Sequence, residues 1–204
     1  MNIAVESAAL ARAQALADVA LALGEVDRAT RHPDGRPETD TTHTVMLALI
    51  AADIAPSLGL DPGEAALFAL VHDLVEAYAG DTNTARGLDP HAAAAKAQRE
   101  ALALTRLRDE LAASPWVIEL IDRYEAQAEA VPRLVRYLDK VTPKLTHRRN
   151  GCAAVKAIGM TREEVLDKHA VQGAELRARY PEHRAVALLF DAACAACELA
   201  FDEP

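Results

Sequence analysis

A histidine and an aspartate stand side by side in the most apolar stretch of the chain. His72 and Asp73 lie at the centre of the segment Leu70–Val75. Burying an ionised carboxylate without a partner costs several kcal/mol, so a cation, an arginine or a hydrogen-bond network must compensate it. A metal ion would meet this need. The pair therefore predicts a metal site or a catalytic site in the protein interior.

Two further carboxylates follow this pair closely. Glu76 comes four residues after His72 and three after Asp73, a spacing that places all three side chains on one face of a helix. Asp81 directly follows Gly80, at which the helix is expected to end, and so enters a loop near the same edge. This clustering predicts catalytic or supporting roles for Glu76 and Asp81.

Two more candidate ligands come from distant parts of the chain. His43 lies in the first turn of a helix that we expect to begin near Thr41 or Thr42, and Asp139 lies in a second apolar helix. Two imidazoles and two carboxylates suit Mn, Fe, Co, Ni or Zn better than Ca²⁺, and further coordination positions are left for water and a phosphate oxygen. We therefore predict one divalent metal ion, with Mg also possible, held by His43, His72, Asp73 and Asp139.

The order of these residues resembles the H…HD…D signature of the HD superfamily of metal-dependent phosphohydrolases. The sequence HDLVEAYAGDT at 72–82 is similar to the branch that contains the bacterial 5'-deoxynucleotidases and the HD-containing nucleotidases. That branch has Glu three residues after the HD pair and then Gly-Asp, which Glu76 and Gly80-Asp81 match. Arg28 lies at the spacing from His43 at which the branch keeps a phosphate-binding arginine.

The resemblance implies a phosphatase of nucleoside 5'-monophosphates, with deoxynucleotides as the expected substrates. Glu76 would orient or deprotonate the attacking water, Asp81 would be a catalytic or sugar-contacting carboxylate, and Arg28, helped by Arg36, would bind the phosphate. The chain departs from the pattern at two positions. Ala29 replaces the aromatic residue that the deoxynucleotidases place against the sugar, and Thr42 replaces the acidic residue that usually precedes the first histidine.

Two alternative functions stay open. A nucleoside triphosphate hydrolase or pyrophosphatase on the same scaffold would need extra basic groups, for which the loop Thr30–Arg36 is the candidate. A non-catalytic helical protein that binds metal or nucleotide is the other alternative. Alarmone hydrolases are disfavoured because they place Asp after the catalytic Glu, where this chain has Ala77, and cyclic-dinucleotide enzymes are disfavoured because the GYP element is missing.

The elements that must position these residues are predicted to be helices. Of the 204 residues about half are apolar but only 4% are aromatic, a composition that favours helices over strands. Helix starts are signalled by Asp61-Pro62 and by Thr161 with Glu164. We predict an all-α, single HD-type domain over residues 1–204, a compact bundle of seven or more helices, with the motif-bearing core at 28–139 and a polar loop at Thr30–Thr42.

Composition also limits the partners. A net charge of −9 argues against nucleic acid, and three cysteines do not suggest a disulfide framework. We expect a cytoplasmic homo-oligomer, a dimer, with a small nucleotide as its ligand and no membrane span. We expect the basic run Lys144–Arg149 to be a solvated helix end, and we expect Cys194 and Cys197 in the core. Three histidines are expected to be exposed, namely His147, His169 and His183.

Overall fold

The computed structural model describes residues 3–201, and it is helical apart from one short hairpin. The hairpin pairs β1 (Asp27–Arg31) with β2 (Pro37–Thr39) in antiparallel orientation. The all-α prediction of seven or more helices is confirmed. The helices are α1 (Ile3–Gly24), α2 (Asp40–Ile54), α3 (Pro62–Val71), α4 (Glu76–Ala79), α5 (Pro90–Glu110), α6 (Pro115–Ala126), α7 (Ala130–Arg149), α8 (Ala153–Ala157), α9 (Arg162–Arg179) and α10 (Arg184–Phe201), with a 3₁₀ turn at Ala55–Leu58.

Helix α7 lies at the centre of the bundle. It packs against α10 on one side and against α2 and α3 on the other, and its residues Leu134, Val135 and Leu138 are fully buried. One hydrophobic cluster includes side chains from helices as far apart in sequence as α1 and α10. The boundaries of a single domain at 1–204 stay a prediction.

The predicted loop Thr30–Thr42 differs from the structure. Its first residues belong to β1, and the turn of the hairpin is closed by Gly35, whose φ of +86° a side chain would resist. Helix α2 begins at Asp40, because Thr39 acts as the N-cap and its hydroxyl accepts a hydrogen bond from the Thr42 N–H at 3.3 Å. The cap therefore lies two or three residues before the predicted positions.

The helix expected to run through His72 to Gly80 is interrupted. Helix α3 ends at Val71, and residues 72–75 form a turn before α4 begins at Glu76. The Glu76 N–H donates to the Asp73 carbonyl at 2.8 Å, three residues back instead of four. Side chains three residues apart lie over one another in such a tightened turn. Asp73 and Glu76 are therefore brought together by a break in the helix.

Helix α2 with the following 3₁₀ turn, Asp40–Leu58, is long and apolar enough to cross a membrane by length and composition alone. The expectation that the chain has no such stretch is therefore too strict. The buried face of α2 carries Asp40 and His43, and the helix packs against α3 and α7. One face of α2 is therefore packed into the protein, while its opposite face leaves Val45 and Leu49 exposed.

Candidate metal centre

The four predicted ligands meet where α2, α7 and the end of α3 come together. His43 lies in the first turns of α2, His72 and Asp73 in the turn that follows α3, and Asp139 in the middle of α7. Each offers a ligand atom, and these four atoms all lie within 4.8 Å of one another. We call these four residues the histidine–aspartate cluster.

The contacts inside the cluster are those of a site that could hold a cation. The Nε2 atom of His43 is 3.0 Å from Asp139 Oδ1 and 4.0 Å from Asp73 Oδ2. His72 Nε2 is 2.8 Å from Asp73 Oδ2 and 3.8 Å from Asp139 Oδ1. The His72 nitrogen is buried and makes no hydrogen bond of acceptable geometry. A mixed nitrogen and oxygen set around such a nitrogen fits a transition-metal ion.

Both histidines present Nε2 to the cluster, and their Nδ1 atoms face groups outside it. The Nδ1–H of His72 donates to the Ala69 carbonyl at 2.7 Å. His43 Nδ1 faces the buried carboxylate of Glu38, 3.7 Å away. Partners of this kind fix the tautomer and the ring orientation of a metal-binding histidine. An acidic side chain from β2 thus lies beside His43, although Thr42, the residue before His43, is not acidic.

Burial and charge set the protonation of the cluster. Burial opposes the charged form of His72, but Asp73 and Asp139 outweigh it and raise the His72 pKa to about 10. Burial likewise opposes ionisation of Asp73, yet His72 holds the pKa of that carboxyl below its usual range. The cluster without a cation is therefore a set of ion pairs in which protons sit on imidazole. A metal ion would displace those protons.

Glu76 lies in a strongly acidic neighbourhood. One of its oxygens is within 4.8 Å of carboxylate oxygens of both Asp40 and Asp73. Burial, together with the charges of Asp73, Asp40 and Asp81, raises the pKa of Glu76 to about 10. A positive charge placed nearby would lower that pKa and favour the carboxylate. Glu76 is thus suited to hold a proton at one stage of a reaction and release it at another.

Arg28 is held by two acids at the base of the hairpin. Its Nη1 donates to Asp40 Oδ1 at 2.6 Å and to Asp73 Oδ2 at 3.2 Å. Burial lowers the pKa of Arg28, but Asp73 and Asp139 more than compensate, so the guanidinium stays charged. Sequence reasoning missed Asp40, which is fully buried. An acid at the first position of a helix that begins beside a ligand was the available signal.

A cavity of about 170 Å³ opens beside the cluster. Arg28, Asp81 and Asp139 are among its lining residues, so the structure brings these predicted site residues to one space. Arg36 is not among them. In the hairpin turn its Nε donates to Asp34 Oδ2 at 2.7 Å, and its side chain is 78% exposed. The predicted role of Arg36 in substrate binding therefore has no support in this geometry.

The cavity continues along α7 and α9, where basic groups line it. Lys140, Lys144 and His147 come from α7, and Lys168 and His169 come from α9. The expectation of a solvated basic run was wrong for Lys144, which is only 7% exposed because it lies on the inner face of α7. His169 and His183 are buried as well, so they are not exposed as predicted. Cys194 and Cys197 are buried, as predicted.

The backbone carbonyl of Asp139 in α7 accepts its hydrogen bond from a side chain. Pro143 has no N–H to donate to the Asp139 carbonyl, four residues earlier. Thr142 is fully buried, and its hydroxyl donates to that carbonyl at 3.0 Å. The bond that proline removes is thus replaced by a side chain. The backbone carbonyl of Asp139, whose side chain faces the cluster, therefore keeps a hydrogen-bond donor.

Comparisons with known proteins agree with this geometry. The pattern of the HD domain family matches residues 22–179, a stretch that includes the whole cluster. The fold is similar to the crystal structure of a predicted metal-dependent phosphohydrolase from Magnetospirillum magnetotacticum MS-1. The two are 26% identical with a TM-score of 0.67, over 94% of this chain and 98% of that one. No protein of curated function matches the chain.

Proposed function

We propose that this protein, which belongs to the HD domain family and is a metal-dependent phosphohydrolase, removes phosphate from nucleoside 5'-monophosphates, with deoxynucleotides as the expected substrates. One observation carries the proposal. Asp139 of the histidine–aspartate cluster and Arg28 both line one cavity, and Glu76, which is not among its lining residues, lies beside Asp73. A candidate cation site, a phosphate-binding cation and a proton-transfer group therefore lie close together at one end of the cavity.

In this proposal His43, His72, Asp73 and Asp139 would hold one divalent metal ion, which would supply Lewis acidity at the cluster. Glu76 orients the attacking water and accepts its proton. Arg28 faces the phosphate oxygens and offsets the charge that builds on them. Because direct attack by water needs no covalent intermediate, the chain requires no nucleophilic side chain.

The sugar is proposed to lie against the hairpin and the loop that follows Gly80. Ala29, Thr30 and Asp81 all line the cavity there. Because the methyl group of Ala29 cannot form an aromatic wall, selection between ribose and deoxyribose would fall to hydrogen bonds. Asp81 is the carboxylate at that position and can accept one from a sugar hydroxyl.

The test is phosphate release from a panel of NMPs, dNMPs and dNTPs by protein loaded in turn with Mn²⁺, Co²⁺, Ni²⁺, Zn²⁺ and Mg²⁺. We expect monophosphates to be hydrolysed, and Glu76→Ala to lose that activity. Glu119→Ala, on the exposed face of α6, is the matched control and should behave as wild type. Equal background rates for wild type and Glu76→Ala on every substrate would reject the enzyme function, and release from dNTPs alone would favour the triphosphate alternative.

A further inference from the structure

Two lysines in the cavity have no acidic partner. Lys144 Nζ donates to the amide oxygen of Gln172, and Lys168 Nζ donates to the backbone carbonyls of Thr84 and Ala85. Among the residues that the structure describes, no carboxylate lies within 4 Å of either ammonium group. We call Lys144 and Lys168 the lysine pair. Both belong to the wall of the cavity that starts at the cluster.

The lack of a counter-charge is costly at Lys144. A buried cation needs compensation, and neutral amide or carbonyl partners give only part of it. Burial, with the positive charges of Lys140 and Lys168, lowers the pKa of Lys144 to about 8. Lys140, in contrast, contacts Asp139 Oδ2 at 2.7 Å. An anionic ligand at the lysine pair would supply what the protein does not.

Hydrogen-bond capacity remains for such a ligand. An ammonium group has three donors, so Lys144 keeps two after its bond to Gln172, and Lys168 keeps one after its bonds to the two carbonyls. His147 also lines the cavity, and its Nδ1 is buried without a partner. The acids among the lining residues are Asp81 and Asp139, which belong to the cluster end. The far end is therefore positively charged and has free donors.

The position of Lys144 separates it from the phosphate that would be cleaved. It follows Asp139 by five residues on α7, which is about 7.5 Å along the helix axis at 1.5 Å per residue. A phosphate at the cluster therefore contacts Arg28 and Lys140 more readily than the lysine pair. Another anionic group on the same ligand could extend along α7 and reach the pair.

We propose that the lysine pair binds a second phosphate group of the substrate, so that the nucleotide hydrolysed at the cluster carries two phosphates. This inference rests on the proposed function and refines its substrate class: a nucleoside 3',5'-bisphosphate is a 5'-monophosphate with a second phosphate on the sugar, whereas a 5'-diphosphate would extend the class beyond monophosphates. A nucleoside 3',5'-bisphosphate and a nucleoside 5'-diphosphate share the required chemistry. Lysine binds either phosphate as a point charge, so the geometry of the lysines alone does not choose between them.

The experiment measures kcat/KM for AMP, adenosine 3',5'-bisphosphate and ADP with wild-type protein and with Lys144→Met and Lys168→Met. At least one two-phosphate substrate should exceed AMP about tenfold in wild type, since two charge-assisted hydrogen bonds are at stake. Each variant removes one of the two lysines and should lower that ratio about threefold, which is half of the tenfold effect on the free-energy scale. The control Lys96→Met, on α5 and paired with Glu100, should keep it. The better of the two substrates identifies the source of the second phosphate.

Two results would overturn the inference while leaving the proposed function intact. One is equal kcat/KM for AMP and both two-phosphate substrates in wild type. The other is an unchanged ratio in both lysine variants. If wild type releases phosphate neither from this panel nor from the NMPs and dNMPs named under the proposed function, the proposed function fails, and binding decides the inference separately. The bisphosphate or ADP should then raise the melting temperature of wild type and of Lys96→Met but not that of Lys144→Met, and equal shifts in all three would reject the lysine pair.

Discussion

At the cluster end of the cavity, the buried acids Asp40 and Asp139 and the half-buried Asp73 each contact a cationic side chain. At the far end, Lys144 and Lys168 contact only neutral groups among the described residues. At the cluster end the charges of the acids are compensated within the protein, and a metal ion can bind there by replacing protons on the histidines. At the lysine pair the positive charges have no counter-charge in the part of the protein that the structure describes. The difference indicates where each kind of ligand charge belongs, a cation at the cluster and an anion at the lysine pair.

Removing a charge from the cluster should have the largest effect on phosphate release. Asp73→Asn keeps the side-chain shape but loses a ligand and the partner of Arg28 and His72, so phosphate release should fall about 10³-fold or more. Metal content measured by mass spectrometry should fall with it. Asp53→Asn, on the exposed side of α2, is the control and should change neither. Full metal content with full activity in Asp73→Asn would contradict the ligand assignment.

Glu76 tests whether the cluster end contains a proton-transfer group in addition to metal ligands. Glu76→Gln should lower kcat about 10²-fold, because an amide cannot accept the proton of the attacking water. Bound metal should be unchanged, since Glu76 is not one of the four predicted ligands. Parallel loss of metal and activity would instead make Glu76 a ligand.

A substitution at the lysine pair should change the free energy of unfolding, whereas substitutions in the cluster should change the rate of phosphate release. Lys144→Met should raise the free energy of unfolding by about 3 kcal/mol at pH 7, because it removes a buried cation whose pKa of about 8 lies below the ordinary 10.5. The unfolded chain binds this proton more tightly than the folded protein does. The free energy of unfolding of wild type should therefore rise between about pH 8 and pH 10.5, and the difference between Lys144→Met and wild type should shrink over the same range. Urea unfolding of both proteins across that range measures this difference. A difference that is independent of pH would contradict the assignment.

The smallest effect is expected at the support of a ligand. Glu38→Gln leaves the cluster intact but weakens the acidic partner on the Nδ1 side of His43, so metal affinity should fall about tenfold. Competition with a metal-binding dye measures the change. Glu25→Gln, just before the hairpin, offers a comparison with the same change of charge. Equal affinities in both variants would mean that Glu38 does not support His43.

Residue types and spacing were enough to predict the cluster. His72-Asp73 in an apolar stretch demanded a partner, and His43 and Asp139 in separate apolar helices could supply it. What the spacing could not predict was the turn at 72–75, because the apolar pattern continues through it while the backbone tightens. The all-helical fold could be predicted from composition and cap residues, because both favour helices through local interactions.

Glu38, Asp40 and Lys144 were missed because their burial is decided by tertiary packing. Glu38 and Asp40 lie in a polar stretch that is typical of a loop, and they become buried only when the hairpin packs onto α2 and α7. Lys144 starts a basic run that would suit a solvated helix end. Only the position of α9 and α10 against α7 encloses it. Polar residues that a fold buries around a cavity carry no local pattern that marks them.

The most direct test of the metal centre is anomalous diffraction at the manganese edge from crystals grown with Mn²⁺. The account predicts one peak about 2.2 Å from His43 Nε2, from His72 Nε2 and from a carboxylate oxygen each of Asp73 and Asp139. A peak bound by other residues, or none at a Mn²⁺ concentration that supports phosphate release, would contradict it.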